Sequence, residues 1–369
     1  LQDRPGAEDF DDIPSQPEAS LDEPVTNGTS EFWYAKHNQR GGAAPKDLSL
    51  AADEFTSERM LKRSDPAPKK GWRRGLYRMT AGLVNPGPSE AEEYESELLK
   101  RVRAPIADTR RVAVISRKGG VGKTTTTLML GHTFAEYRGD RVVAFDGNPD
   151  AGSLGYRVPR ETSNNIIDLL NAHDDIRRYS DIRAYTNQAS TRLEVVAASD
   201  DPGIIDGLGE EGYQRVAQLL EYHYNLTCMD TGTGILESAT QGILDLADQI
   251  VVVMGPSIDS ARTAASTLDW LEQNGRADLV ERAVAVINST SEGDGRVEVD
   301  RIDDHFLARC RDLVHIPRDS QLEAGAEAGL SDLAAETRDA YLQLAASVAD
   351  GFSEPRSKLR GVSDGAAAG

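Results

Sequence analysis

The chain has 369 residues, generous for one α/β domain and long enough to carry a second, smaller or unstructured part. At 39% hydrophobic and 28% charged it can bury a sizeable core, but it is poorer in apolar residues than a compact enzyme, so one stretch must be dilute. The net charge of −20 argues against a general affinity for nucleic acid or anionic membrane and leaves only local basic patches for such contacts.

Residues 1–58 are the dilute stretch, rich in Asp, Glu, Pro, Gly and Ser and opening with Glu8, Asp9, Asp11, Asp12, Glu18, Asp22 and Glu23. Such a segment buries too little apolar area to offset chain entropy, and an acidic disordered region is expected, either a solvated tail or a partner-docking one. From 59 to 105 the character reverses. Arg59, Lys62, Arg63, Lys69, Lys70, Arg73, Arg74 and Arg78 surround a single acid, Asp65, with Trp72, Leu76, Tyr77 and Met79 interleaved. Three readings stay open for this docking or linker segment: contact with anionic lipid or an acidic partner, folding back on the protein's own acidic surface, or nucleic acid. After the break Pro86-Gly87-Pro88, Ser89 and Glu92 form an S-x-x-E capping box that predicts a helix to about Arg103.

Beyond it, short apolar runs at 111–116, 141–146, 226–230, 249–254 and 282–288, with weaker ones at 193–197 and 313–316, alternate with helix-like stretches. Their β-branched, continuously apolar character suits strands covered on both faces, so a doubly wound, mostly parallel α/β domain is expected over 106–351. A last helix is predicted at about 332–350, before a disordered tail over 352–369. No apolar run approaches the ~18 residues of a membrane span. Cys228 and Cys310 are too few for a disulfide framework or a cysteine metal site and point to a reduced, cytoplasmic compartment. The scattered histidines have no metal-ligand spacing; His132 and Trp270 read as packing residues.

The strongest feature is Ser116-Arg117-Lys118-Gly119-Gly120-Val121-Gly122-Lys123-Thr124-Thr125, which follows a strand and opens a helix carrying Leu128, Met129, Leu130 and Phe134. That is the context a phosphate loop requires. The glycines let main-chain N–H groups curl around phosphate oxygens, and the helix N-terminus adds unpaired donors. Lys123 is placed to reach β- and γ-phosphates and the Thr124 hydroxyl to bind Mg²⁺, which makes ATP and Mg²⁺ the expected ligands.

The strict loop pattern wants Gly at 117, where the chain has Arg117, and Lys118 is an added lysine. This K-G-G-x-G-K-T-T form resembles the deviant phosphate loop of the MinD/ParA superfamily of P-loop proteins (the SIMIBI class). The resemblance implies that Lys118 reaches across an ATP-dependent homodimer to the partner's nucleotide. Asp146-Gly147-Asn148-Pro149-Asp150 looks like the second acidic motif of that family. Leu226–Met229 with Asp230 looks like its Walker B strand, Asp230 holding Mg²⁺ through a water. Asn288 falls where the family places an adenine-binding asparagine, and Pro317-Arg318-Asp319 resembles the loop that packs on the base. The family usually carries Asp where this chain has Asn148, and an amide cannot take a proton from the attacking water. Either hydrolysis is slow, or Asp146 or Asp150 handles the water.

Neither cysteine has the CxxC partner of the iron–sulfur branches, the C-terminal part lacks a tyrosine cluster, and the chain's last residues form no apolar helix face. Gly71–Tyr77, Gly87-Pro88-Ser89 and Leu98–Pro105 resemble the segment ahead of the ATPase in actinobacterial MinD-like proteins of type VII (ESX) secretion, the EspI-like group. The function implied is an ATP-switched regulator or accessory factor of such a system, binding a protein partner in a secretion or membrane complex through residues 1–105. It would be peripheral at the inner face of the membrane. Two alternatives remain: a partition ATPase that coats DNA non-specifically, and an ATP-binding module without catalysis.

Overall fold

A computed structural model describes residues 67–69, 71–81, 83–106, 108–148, 152–199, 209–289, 299–323 and 325–353. The expected disordered region at 1–58, residues 354–369 of the tail expected over 352–369, the basic residues Arg59, Lys62, Arg63 and Lys70, and Asp150 lie outside them. The tail begins later than expected: Asp350–Ser353 form a 3₁₀ turn that buries the Phe352 ring in the core.

The strands are β1 (Arg110–Ile115), β2 (Val142–Gly147), β3 (Asn187–Gln188), β4 (Glu194–Val196), β5 (Leu226–Thr231), β6 (Gln249–Met254), β7 (Val284–Asn288) and β8 (Asp312–Ile316). The first six helices are α1 (Gly71–Met79), α2 (Glu90–Val102), α3 (Lys123–Tyr137), α4 (Ile166–Asn171), α5 (Tyr179–Ile182) and α6 (Gly209–His223). Then come α7 (Ser238–Leu246), α8 (Ile258–Gln273), α9 (Ala277–Glu281), α10 (Val299–Leu307), α11 (Ser320–Glu323) and α12 (Ala335–Ala349).

The strands form one sheet in the order β3-β4-β2-β5-β1-β6-β7-β8, parallel throughout except for the antiparallel edge pair β3–β4. Alternation inside the apolar runs feeds two cores. Val112 and Val114 of β1 point to the face covered by α2, α3 and α12, while Ala113 and Ile115 point to the face covered by α6, α7 and α8. A run that is apolar at every position is what a sheet sandwiched between helix layers demands. Twelve of the fifteen residues of α3 are buried, so it lies across the sheet centre rather than presenting a wet face.

The predicted strands fall within two residues of the observed ones. β7 begins at Val284 rather than 282 because Arg282 still closes α9, its side chain paired with Asp278. The last helix begins at Ala335 rather than 332 because Leu330–Asp332 turn as a 3₁₀ segment and Asp319 accepts the Ala334 N–H. The edge strand β3 was not visible as an apolar run. The capping box is present: Glu92 N–H donates to Ser89 Oγ, and Ser89 N–H returns to Glu92 Oε2 at 3.0 Å. α2 sends Leu98 and Val102 into the same core as α12, and Arg101 forks onto Asp350 at 2.7 and 3.1 Å.

Candidate nucleotide-binding site

β1 is the strand from which the chain departs in both directions, to β5 and β2 on one side and to β6 and β7 on the other. In a doubly wound sheet the crevice at the carboxyl end of such a strand is where ligands bind. Residues 116–122 cross it. Gly120 and Gly122 have φ of +75° and +89°, backbone that a side chain would strain. Gly122 then caps α3, its carbonyl accepting the Thr126 N–H at 2.8 Å.

A cleft of about 600 Å³ opens above the loop, within the usual size of small-ligand sites. Lys118, Gly120, Gly122, Lys123, Thr124 and Thr125 line one side, and Asn288, Pro317 and Asp319 line the other. Gly119 and Val121 complete the loop; Val121 is buried beneath it, and its carbonyl accepts the Asn288 Nδ2–H at 2.9 Å. Asn288 therefore braces the phosphate loop from the end of β7. An amide with one N–H so engaged keeps a second N–H and its oxygen for a ligand. Asp319 has a structural task as well, accepting the main-chain N–H groups of Gln321 and Ala334. Burial alone would raise its pKa, but those two bonds outweigh it and hold the carboxyl below its ordinary value.

Asp146 and Asp230 do not line the cleft but sit behind it, side by side at the ends of β2 and β5, where they are register partners. Both are buried, and burial raises the pKa of each; the Asp230 charge adds to the rise at Asp146, and Lys123 opposes both. Asp230 accepts the Thr124 hydroxyl at 2.6 Å and the Thr127 hydroxyl at 3.3 Å. Asp146 accepts the N–H groups of Asn148 and Leu154 and so holds the turn that carries Asn148. Asn148 is half-buried at the rim of the undescribed stretch 149–151. Among the described residues no three His, Cys, Asp or Glu side chains cluster as a metal cage. A hydroxyl touching a buried carboxylate is instead the hard, oxygen-only set that suits Mg²⁺, which keeps most of its shell as water and phosphate.

Lys118 and Lys123 differ. Lys123 is buried in the first turn of α3, whereas Lys118 is 38% exposed and its Nζ lies 2.5 Å from Asp259 Oδ2 at the head of α8. The sequence did not single out Asp259, and it assigned no task to two further residues. Gly152 is one: a Cβ there would stand 2.1 Å from the Asp146 carboxyl, so the turn back over this acid admits only glycine. Arg157 is the other. The 3₁₀ turn Leu154–Arg157 brings it into the cleft wall, where Nη1 donates to Thr125 Oγ1 at 2.7 Å and Nη2 lies near Gly325. Its Nε is buried with no hydrogen-bond partner, and its side chain lines the cleft. No fixed spacing links Arg157 to the loop; its only sequence signal is a cation directly after the second acidic motif.

A phosphate loop on the central strand of a doubly wound sheet, with an acid at the end of the adjoining strand, defines a P-loop nucleotide-binding protein. The chain belongs to the family of the CobQ/CobB/MinD/ParA nucleotide binding domain, which residues 112–331 match. It is 37% identical over 286 residues to the ESX-1 secretion-associated protein EspI of Mycobacterium tuberculosis, covering 77% of this chain and 42% of that one. The chain thus spans about two fifths of the length of that relative. It is also 27% identical over 207 residues to the septum site-determining protein MinD of Bacillus subtilis, covering 53% and 72% of the two chains. The fold matches a ParA family ATPase from Chlorobium tepidum with a TM-score of 0.55 at 19% identity, over 64% of this chain and 98% of that one. It matches MinD from Pyrococcus horikoshii, solved with Mg-ADP, with a TM-score of 0.53 at 16% identity, over 69% of this chain and all of the other. Among the described residues no helix is long and apolar enough to cross a membrane.

Proposed function

We propose that the chain binds Mg-ATP, dimerises on it, hydrolyses it slowly, and serves as a regulator or accessory factor of a type VII secretion system. The observation that carries the nucleotide part is the pair of lysines on one loop, Lys123 buried at the helix start and Lys118 half-exposed at the mouth of the cleft. In this reading Lys123 and the loop amides hold the β- and γ-phosphates, while Asn288, Pro317 and Asp319 receive the base. The Thr124 hydroxyl and Asp230 would hold Mg²⁺. The ion supplies charge neutralisation to the phosphates. Asn148, steered by Asp146, orients the attacking water without accepting its proton, hence slow turnover. The domain expected over 106–351 would carry this chemistry.

Lys118 is the residue assigned to the second copy's nucleotide. It must first give up Asp259, so that ion pair opposes dimerisation until ATP is present. The secretion role rests on similarity to EspI, and residues 1–105 are the segment assigned to a protein partner.

The reading is tested by phosphate release from the full chain in Mg-ATP. Slow release that Lys123→Ala reduces by at least about a hundredfold is expected. Failure to take up ATP in the presence of magnesium would overturn it.

A further inference from the structure

The described part of the basic segment is mounted the wrong way round for a helix of a water-soluble body. At 100° per residue, Trp72, Leu76 and Met79 of α1 share one face, and Arg73, Arg74, Tyr77 and Arg78 occupy the other. None of its residues is buried. What attaches it to the rest of the chain is the polar flank. Arg73 Nη1 donates to the carbonyl of Pro88 at 2.7 Å and Tyr77 is half-covered; ahead of the helix the Lys69 N–H donates to Glu92 Oε1 at 2.9 Å, and on the apolar face Leu76 alone is half-covered. The large apolar side chains face water: Trp72 is 72% exposed, Met79 84% and Leu83, in the turn that follows, 90%. Val84, next in the chain, is 48% exposed.

We propose that α1 and the turn through Val84 form a membrane-surface site that lies on a bilayer rich in anionic lipid. A helix with Trp, Met and Leu outward and arginines along its edges matches the boundary between headgroups and acyl chains, where the rings and alkyl groups enter and the guanidinium groups meet phosphates. Charge complementarity selects this occupant. In a chain of net charge −20, the stretch from Lys69 to Leu83 holds Lys69, Lys70, Arg73, Arg74 and Arg78 and no acid. Nucleic acid would engage the cations but leave the Trp72–Met79 stripe in water. The exposed Glu90 and Glu93 at the head of α2 repel an anionic surface, which confines contact to α1 and its turn. The site needs no nucleotide, so it stands or falls apart from the proposed ATP chemistry.

The test is co-sedimentation of the nucleotide-free full chain with vesicles of phosphatidylglycerol and phosphatidylcholine, against vesicles of phosphatidylcholine alone. Retention on the anionic vesicles only, weakened by salt, is expected. The double variant Trp72→Ser with Met79→Ser and the double variant Arg74→Gln with Arg78→Gln should each lower retention at least about tenfold. Arg73 is left in place because it anchors the helix, and unchanged thermal melting of both variants shows that the fold is intact. Equal retention of wild type and the Trp72/Met79 variant would overturn the proposal. So would retention on duplex DNA without retention on vesicles, or a self-association lost in that variant while vesicles bind nothing.

Discussion

Lys123 and Lys118 stand on the same loop but in regions built to opposite specifications. Around Lys123 most groups are buried and several are tied down: α3 is enclosed over most of its length, Thr124 and Thr127 are bonded to Asp230, and Asp146 pins the neighbouring turn. Around Lys118 the partner is a single exposed carboxylate, Asp259, whose side chain is 77% accessible. Surface ion pairs of that kind are worth little and exchange readily with water. The inner region is thus fixed before any ligand arrives, while the outer lysine is held by a contact weak enough to be traded for a phosphate.

Acid tests the inner region through His132. His132, buried in α3 with Nδ1 2.7 Å from Thr191 Oγ1, has its pKa lowered by burial to about 4 from an ordinary 6.5. Between those values the unfolded chain takes up a proton that the folded chain refuses. The His132 contribution to stability therefore falls as pH drops from about 6.5 to about 4, by on the order of 3 kcal/mol. Asp146, raised by burial to about 7, takes up a proton on folding over the same range and opposes it. Urea unfolding midpoints of wild type and His132→Gln at intervals over that range isolate it: wild type should lose stability relative to the variant as pH falls, and a difference that does not change with pH would remove His132 as a source.

The next effect sharpens the inner wall. Arg157 lines the cleft and donates to Thr125, the third residue of α3. Its replacement by Ala should weaken ADP and ATP alike by about tenfold in calorimetric titration, ~1.4 kcal/mol, because the phosphates nearest the ribose are common to both. A loss confined to ATP would place Arg157 at the terminal phosphate instead. The smallest effect belongs to the outer region. Asp259→Asn frees Lys118, and the dimer in ATP should tighten by roughly threefold in sedimentation, with ADP affinity unchanged. A weaker dimer would mean that Asp259 itself forms part of the contact between copies.

The sheet and the phosphate loop were legible because each is written locally. Continuous apolar runs mark strands covered on both faces, and K-G-G-x-G-K-T-T places glycines where φ is positive at Gly120 and Gly122. The acids Asp146 and Asp230 were readable as strand ends, but their adjacency is a property of β2–β5 pairing, which no single segment records. Arg157, Gly152 and Asp259 were illegible for the same reason: each matters through what it meets across the fold, at Thr125, Asp146 and Lys118. β3 is two residues long, and its pairing with β4 is set by the surrounding fold rather than by a pattern of its own.

The mass of the full chain in solution, measured by light scattering in Mg-ATP, in ADP and without nucleotide, tests the central claim most directly. A dimer is expected in ATP alone, and a Lys118→Ala variant should take up ATP yet stay monomeric. Wild-type protein saturated with ATP and still monomeric would contradict it.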